Sequence, residues 1–72
     1  MADRICVDPA VRFGKPVVEG TRIPVEVVLG HLAAGETPEA VAREYGIAIE
    51  DVRACLGYAA QAVASEHVRA TS

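Results

Sequence analysis

Few side chains in this sequence have the chemistry of catalysis or metal binding. The sequence has two histidines, His31 and His67, and two cysteines, Cys6 and Cys55. Neither histidine has an acid or a cysteine at the spacing of a catalytic triad or a metal site. The cysteines are too few for a disulfide scaffold and lack metal-ligand spacing. We therefore predict no catalytic residue, no bound metal and no cofactor, and a protein that is not an enzyme but a binding module.

The same side chains have simpler structural interpretations. We expect His31 to lie half-buried or exposed on a helix, Cys55 to fill a helical core position and Cys6 to fill a strand. Three carboxylates are expected on solvated helix faces: Glu36, Glu39 and Glu44.

Length and composition predict one small domain that is only marginally stable. The chain has 72 residues, and a domain near this size buries only about 60% of the surface that its unfolded form exposes. Apolar residues make up 51% of the sequence, but most of them are alanine or valine. We expect a folding free energy of about 4–11 kcal/mol and stabilisation by a partner protein or by homodimer formation.

Charge and hydropathy exclude several classes of protein. The net charge is −3, whereas a nucleic-acid-binding domain usually carries a basic face. No apolar run reaches the roughly 20 residues of a membrane span, and we expect no signal peptide. Two cysteines without a disulfide framework fit a reducing compartment, so we predict a cytoplasmic protein.

Breaker residues divide the chain into a β-arm over residues 1–24, helices over 25–64 and a fraying tail over 65–72. In the arm, Glu19-Gly20-Thr21 predicts a tight turn with Gly20 at positive φ. The short extended pieces around the turn are unstable alone. The arm must therefore pack on the helices or pair with another chain.

Helical spacing predicts three helices. The first has an apolar stripe at i, i+3, i+4 and i+7: Val25, Val28, Leu29 and Leu32. The second begins with Thr37 as N-cap and Pro38 as its first residue, and it ends at Gly46. The third begins near Ala48, which is a poor cap because it has no side-chain acceptor. Five of its residues are predicted to be buried: Val52, Cys55, Leu56, Ala59 and Val63.

The second and third helices have the spacing of a helix-turn-helix. Ala42 permits close crossing, Gly46 suits a left-handed turn, and four residues are expected to fill the corner: Val41, Tyr45, Ile47 and Val52. The predicted fold is thus mainly α, a three-helix helix-turn-helix core with a short N-terminal β-arm or hairpin.

The outer face of the third helix favours protein over DNA as its partner. In a DNA-binding motif this face enters the major groove, yet Glu50 and Asp51 would repel a polyanion. The candidates for DNA contact are Arg22, Arg43 and Arg53. The candidates for protein contact are Ile49, Arg53, Ala54, Gly57 and Gln61. An ordinary solvated, alanine-rich face is the remaining interpretation.

The twelve residues Gly14–Val25 predict a rigid backbone path. We expect the Thr21 hydroxyl to close the turn. Arg22 either binds a carboxylate or phosphate bidentately or braces the arm against acidic residues of the helices. Lys15 and Arg12 are expected to be solvated.

This run resembles the signature of a bacterial family first catalogued as domain of unknown function number 433. The residues that carry the resemblance are Gly14, Lys15, Pro16, Gly20, Thr21, Arg22 and Pro24. The segments 35–39 and 50–53 resemble the family too. The resemblance implies a β-arm and helix-turn-helix protein that serves as antitoxin in a type II toxin–antitoxin pair, often beside a PIN-like ribonuclease toxin. Glu19 and Ala48 depart from the family pattern, and both weigh against DNA contact.

We therefore predict an antitoxin-like protein that neutralises a cognate PIN-like ribonuclease toxin by direct contact. The contact surface would be the outer face of the third helix together with the C-terminal tail. Two alternatives remain: a helix-turn-helix transcriptional regulator that binds its own operator DNA, and a small scaffold protein without a toxin partner.

Overall fold

The computed structural model describes residues 4–10 and 14–71, so the expectation for Arg12 lies outside the described residues. Five elements follow one another along the chain: β1 (Ile5–Cys6), β2 (Val17–Val18), α1 (Val25–Ala33), α2 (Pro38–Tyr45) and α3 (Ile49–Thr71). The prediction of a mainly α fold with three helices and a short N-terminal strand pair is confirmed. No helix of the described chain is both long enough and apolar enough to span a membrane.

The β-arm has β2 at its centre. β1 pairs antiparallel with β2, with Ile5 opposite Val18. On the other side of β2 the chain returns after the turn, where Val17 forms an isolated antiparallel bridge with Pro24. The backbone N–H of Val18 donates to the carbonyl of Ile23 at 2.9 Å. Two strands and a returning segment therefore satisfy the backbone groups of β2 on both edges.

The arm and the helices share one hydrophobic core. Its buried members are Ile5, Val18, Val25, Val28, Val41, Ala42, Val52 and Cys55. Leu29 and Leu32 are half-buried against it, so the apolar stripe predicted for the first helix packs on the core as expected. The β-arm is stabilised by the helices rather than by its own few hydrogen bonds, as a hairpin of this size requires.

Both ends of α2, including its connection to α3, have the capping interactions that the sequence predicts. The Thr37 hydroxyl oxygen accepts from the N–H of Ala40 at 3.1 Å, which caps α2. Gly46 ends α2 in the left-handed conformation, with φ 68°. The next N–H, of Ile47, donates to the carbonyl of Ala42 at 3.0 Å. The four residues predicted to fill the corner all belong to the core or pack against it: Val41, Tyr45, Ile47 and Val52.

Asp51 caps the start of α3, a role that the sequence analysis missed. Ala48 offers no side-chain acceptor, but its backbone N–H donates to Oδ2 of Asp51 at 3.0 Å. The other carboxylate oxygen, Oδ1, lies 2.9 Å from Nη1 of Arg4. One side chain therefore satisfies an unpaired donor at the helix start and ties the residue before β1 to α3.

The predicted burial of Leu56 and Val63 is wrong. Leu56 is 44% exposed and Val63 is 63% exposed. Leu56 follows Cys55 by about 100° around the helix and so leaves the buried face. Val63 lies beyond Tyr58, which packs against the core, and α3 has 23 residues, whereas α1 has 9 and α2 has 8. At 1.5 Å per residue the two short helices cannot cover the long one from end to end. Moreover, α3 continues to Thr71, past residue 65 where fraying was expected.

The same substitution at two valines separates the core from the exposed end of α3. Val28 is fully buried and Val63 is largely exposed. We expect Val28→Ala to lower the free energy of unfolding by about 2 kcal/mol, because it leaves a cavity. Val63→Ala should change it by less than about 0.5 kcal/mol. Urea denaturation followed by circular dichroism measures both values, and equal losses would contradict this assignment of the core.

Candidate partner-binding surface

Four apolar residues of α3 lie along a face of the helix that the core leaves largely exposed. Three of these residues, Leu56, Ala60 and Val63, are exposed. The fourth is Ile49, the first residue of α3, which is half-buried. The intervals between positions 49, 56, 60 and 63 are seven, four and three residues. These intervals fit the seven-residue repeat with which helices pack against each other. We call these four residues the α3 stripe. Past Ile49 it is a helix-packing face whose side chains are exposed.

The residues predicted for protein contact are divided by the structure. Arg53, Gly57 and Gln61 are exposed beside the α3 stripe. Ala54, expected on the outer face, is half-buried and packs against the core. Sequence analysis missed Leu56 as a surface residue because helical spacing does not tell a core stripe from an unpartnered one. The signal that was present is the shortness of the first two helices.

The start of α3 is acidic, as the sequence indicated. Glu50 is exposed in the first turn. Asp51 is largely covered and is engaged by Arg4. Arg53 is the exposed cation nearest in sequence to these acids. A DNA phosphate approaching this helix start would therefore meet negative charge before positive charge.

The other two arginines proposed for DNA contact lie on different elements. Arg22 is exposed after the turn that follows β2, and Arg43 is exposed in the last turn of α2. Within the described residues, no carboxylate lies within ion-pair distance of Arg22. The arginine that braces the arm against the helices is Arg4, not Arg22.

The family-like run Gly14–Val25 builds a backbone path rather than a reactive site. The Thr21 hydroxyl donates to the carbonyl of Val18 at 2.7 Å and accepts from the N–H of Ile23 at 3.0 Å, as predicted. Gly20 has φ 81°, a conformation that favours glycine. Lys15 is exposed, with its Nζ 3.9 Å from Oε1 of Glu26. The run thus fixes the turn that places Pro24 at the start of α1.

A polar cluster joins α1, the α1–α2 connection and α2. Nδ1 of His31 lies 2.6 Å from Oε2 of Glu36, and Nε2 lies 2.7 Å from the Tyr45 hydroxyl. The rings of His31 and Tyr45 meet edge to face, 5.3 Å apart. The hydrogen bond from Glu36 raises the pKa of His31 above 6.5, burial opposes the rise, and the charges of Glu36 and Glu44 add to it.

The cluster corrects the expectation that Glu36 and Glu44 are merely solvated. Both carboxylates are exposed, but both also act on His31. The sequence could not show this, because the three residues belong to three different segments of the chain.

Cys55 is suited to packing and not to reaction. Its side chain is fully buried in the core. Burial, with a smaller contribution from the charge of Asp51, raises the pKa of the thiol to about 11. At neutral pH the thiol stays protonated, so it is a poor nucleophile.

Comparison with known proteins supports the resemblance seen in the sequence. A family model described as "Protein of unknown function (DUF433)" matches residues 5–59. The chain belongs to this family. A curated relative from Mycobacterium tuberculosis (strain ATCC 25618 / H37Rv), named "Putative antitoxin VapB45", is 40% identical over 52 residues. That alignment covers 72% of this chain and 22% of the relative.

A solved structure shares the fold of this DUF433 member. The X-ray crystal structure of Rv2018 from Mycobacterium tuberculosis matches with a TM-score of 0.64 and 40% sequence identity. The match covers 72% of this chain and 24% of that one. The chain thus spans about a quarter of the length of each of these relatives.

The His31–Glu36 pair makes stability depend on pH in a defined direction. The pKa of His31 is raised above 6.5 in the folded protein. The pair therefore stabilises the fold fully below about pH 6.5, and this stabilisation is lost as the pH rises through the folded-state pKa of His31. Glu36→Gln removes the charge that favours the proton. We expect the difference in unfolding free energy between wild type and Glu36→Gln to be larger near about pH 6 than near about pH 8.5.

Glu39→Gln is the matched control, since Glu39 is an exposed carboxylate of α2 that does not act on His31. Urea denaturation at the two pH values measures all three proteins. A difference for Glu36→Gln that stays constant with pH, or one that Glu39→Gln reproduces, would contradict the coupling.

Proposed function

We propose that this chain is a non-catalytic antitoxin module that neutralises a toxin protein in the cytoplasm by direct contact through the α3 stripe. The observation that carries the proposal is the exposure of Leu56 and Val63 on a helix that runs past its own core. The 40% identical relative named "Putative antitoxin VapB45" supports an antitoxin role. The finer expectation of a PIN-like ribonuclease as the toxin rests on the family resemblance.

The physical argument begins with the outer half of α3. Most of the stability of a helix in a protein comes from packing of an apolar face. Leu56, Ala60 and Val63 are exposed, so a partner that covered them would stabilise α3 and the complex together. Full burial of a side chain such as Leu or Val contributes about 1.5–3 kcal/mol.

The shape and charge of the surface favour an apolar helix of the partner. Ala60 and Gly57 are small and exposed, which permits a close approach between helices. Arg53 and Gln61 supply polar groups at the edge of the stripe. An interface with a small apolar centre and a polar rim is typical of specific protein complexes. Neutralisation would follow if the docked module blocked the active site or the substrate groove of the toxin.

A second candidate, a helix-turn-helix regulator of its own operator, is supported by the geometry of α2 and α3. The two helices meet at a three-residue connection that starts with a left-handed glycine, as in that motif. The charges oppose it, because Glu50 and Asp51 occupy the helix start that would enter the groove. A scaffold role without a toxin, or a homodimer formed through the α3 stripe, would use the same apolar surface.

Charged substitutions in the α3 stripe test the proposal. We expect the double variant Leu56→Arg, Val63→Arg to weaken binding to the toxin encoded beside this protein by about 30-fold or more, as loss of a central apolar contact does. Isothermal titration calorimetry with the two purified proteins measures the change. The control is Ala33→Arg, which introduces an arginine at an exposed position in the last turn of α1. This variant should bind the toxin like the wild type.

Circular dichroism of the free variants checks that the helices are retained. Unchanged toxin binding by the double variant would show that the α3 stripe is not the contact surface. If the wild-type protein does not bind the toxin encoded beside it, the scaffold and homodimer interpretations remain. Sedimentation analysis separates these two.

DNA binding is tested with the sequence upstream of the protein's own gene. We expect the protein alone to give no salt-sensitive band shift, because the acidic start of α3 repels phosphate. If a shift appears, weakens steeply with salt and is lost in Arg53→Ala, the protein is a DNA-binding regulator. Arg22→Ala and Arg43→Ala then establish whether the other exposed arginines contribute.

A further inference from the structure

We propose that His31, Glu36 and Glu44 form a binding site for a divalent transition-metal ion, best matched by Zn²⁺. Their donor atoms, one ring nitrogen and two carboxylate oxygens, all lie within 4.8 Å of one another. They come from the last turn of α1, the α1–α2 connection and the last turn of α2. The site is independent of the toxin-binding surface on α3.

The donor set determines which ion fits. Zn²⁺ is bound by imidazole nitrogen at about 2.0–2.1 Å and by carboxylate oxygen at about 2.0–2.2 Å, commonly with water at an open position. Ca²⁺ and Mg²⁺ favour sites made of oxygen donors alone. A histidine between two carboxylates therefore selects for a transition metal.

Tyr45 holds the imidazole in the orientation that a metal ligand needs. Its hydroxyl lies 2.7 Å from Nε2 of His31. A histidine that binds a metal through one ring nitrogen normally donates the N–H of the other to an oxygen acceptor. Once Nδ1 has lost its proton and Nε2–H donates to Tyr45, the lone pair of Nδ1 faces Oε2 of Glu36, which is 2.6 Å away.

In the metal-free protein this contact is a hydrogen bond that uses a proton on Nδ1, and a metal ion can replace that proton. A lone pair on Nδ1 and a carboxylate oxygen at this distance repel each other unless a proton or a metal ion lies between them. The raised pKa of His31 reflects the same local preference for positive charge, caused first by Glu36. Among the described residues, no lysine or arginine forms an ion pair with Glu36 or Glu44.

Metal binding needs only small movements of exposed side chains. Donors around Zn²⁺ are separated by about 3.3 Å in tetrahedral geometry, so the Glu36 carboxylate must withdraw slightly from Nδ1 while Glu44 approaches. Both glutamates are exposed and can change rotamer without disturbing the core. The ion would displace the proton from Nδ1, and the bound form would link α1 to α2 and stabilise the folded state.

Titration of the full chain with zinc tests the site. We expect isothermal titration calorimetry to show one Zn²⁺ bound, and His31→Gln and Glu44→Gln each to weaken binding by about tenfold or more. The midpoint of thermal unfolding should rise with zinc in the wild type and not in these two variants. Affinity should fall as pH is lowered, since the proton competes for Nδ1.

Three control variants exclude other zinc ligands. Glu39→Gln changes an exposed carboxylate of the same helix, His67→Gln removes the second histidine, and Cys6→Ser removes the less buried of the two thiols. All three should bind zinc like the wild type. The proposal is overturned if zinc does not bind, if Glu44→Gln binds as tightly as the wild type, or if Cys6→Ser or His67→Gln abolishes binding.

Discussion

The fold depends on one contact, the packing of buried valines that come from four different elements. Val18 of β2, Val28 of α1, Val41 of α2 and Val52 of α3 are essentially inaccessible to solvent and belong to one cluster. Valine is short and stiff, so the elements that carry it must approach closely. Ala42 and the left-handed turn at Gly46 permit that approach between α2 and α3. The β-arm exists because the same cluster accepts Ile5 and Val18.

A core of small side chains also limits what it can cover. Two of the helices around this core, α1 and α2, are short, and α3 is much longer than either of them. The apolar side chains of α3 are divided into those that pack in or against the cluster, such as Val52, Cys55 and Tyr58, and those that remain exposed, Leu56 and Val63. The candidate partner surface is a direct consequence of this division and needs no specialised residue.

Charge is used locally rather than over the whole surface. Asp51 caps α3 through the N–H of Ala48 and at the same time binds Arg4, so it joins the arm to the helices. Its negative charge at the helix start is favourable to the helix dipole and unfavourable to DNA. His31, Glu36 and Glu44 concentrate negative charge around a single imidazole on the other helices. These two acidic sites explain why the net charge alone says little about the partners of the protein.

The sequence by itself determined most of the features that depend on neighbouring residues. The Thr37 cap, the left-handed conformations at Gly20 and Gly46 and the hydroxyl contacts of Thr21 were predicted because local backbone chemistry requires them. The family could also be predicted, since its motif is a continuous run. The Asp51 cap is also local, but it was missed. Tertiary structure alone decided which strand pairs with β2, that Asp51 would bind Arg4, and that His31 would meet Glu36 and Tyr45. It also decided the exposure of Leu56 and Val63, because helical spacing fixes the face on which a side chain lies, whereas its burial depends on which neighbouring elements cover that face.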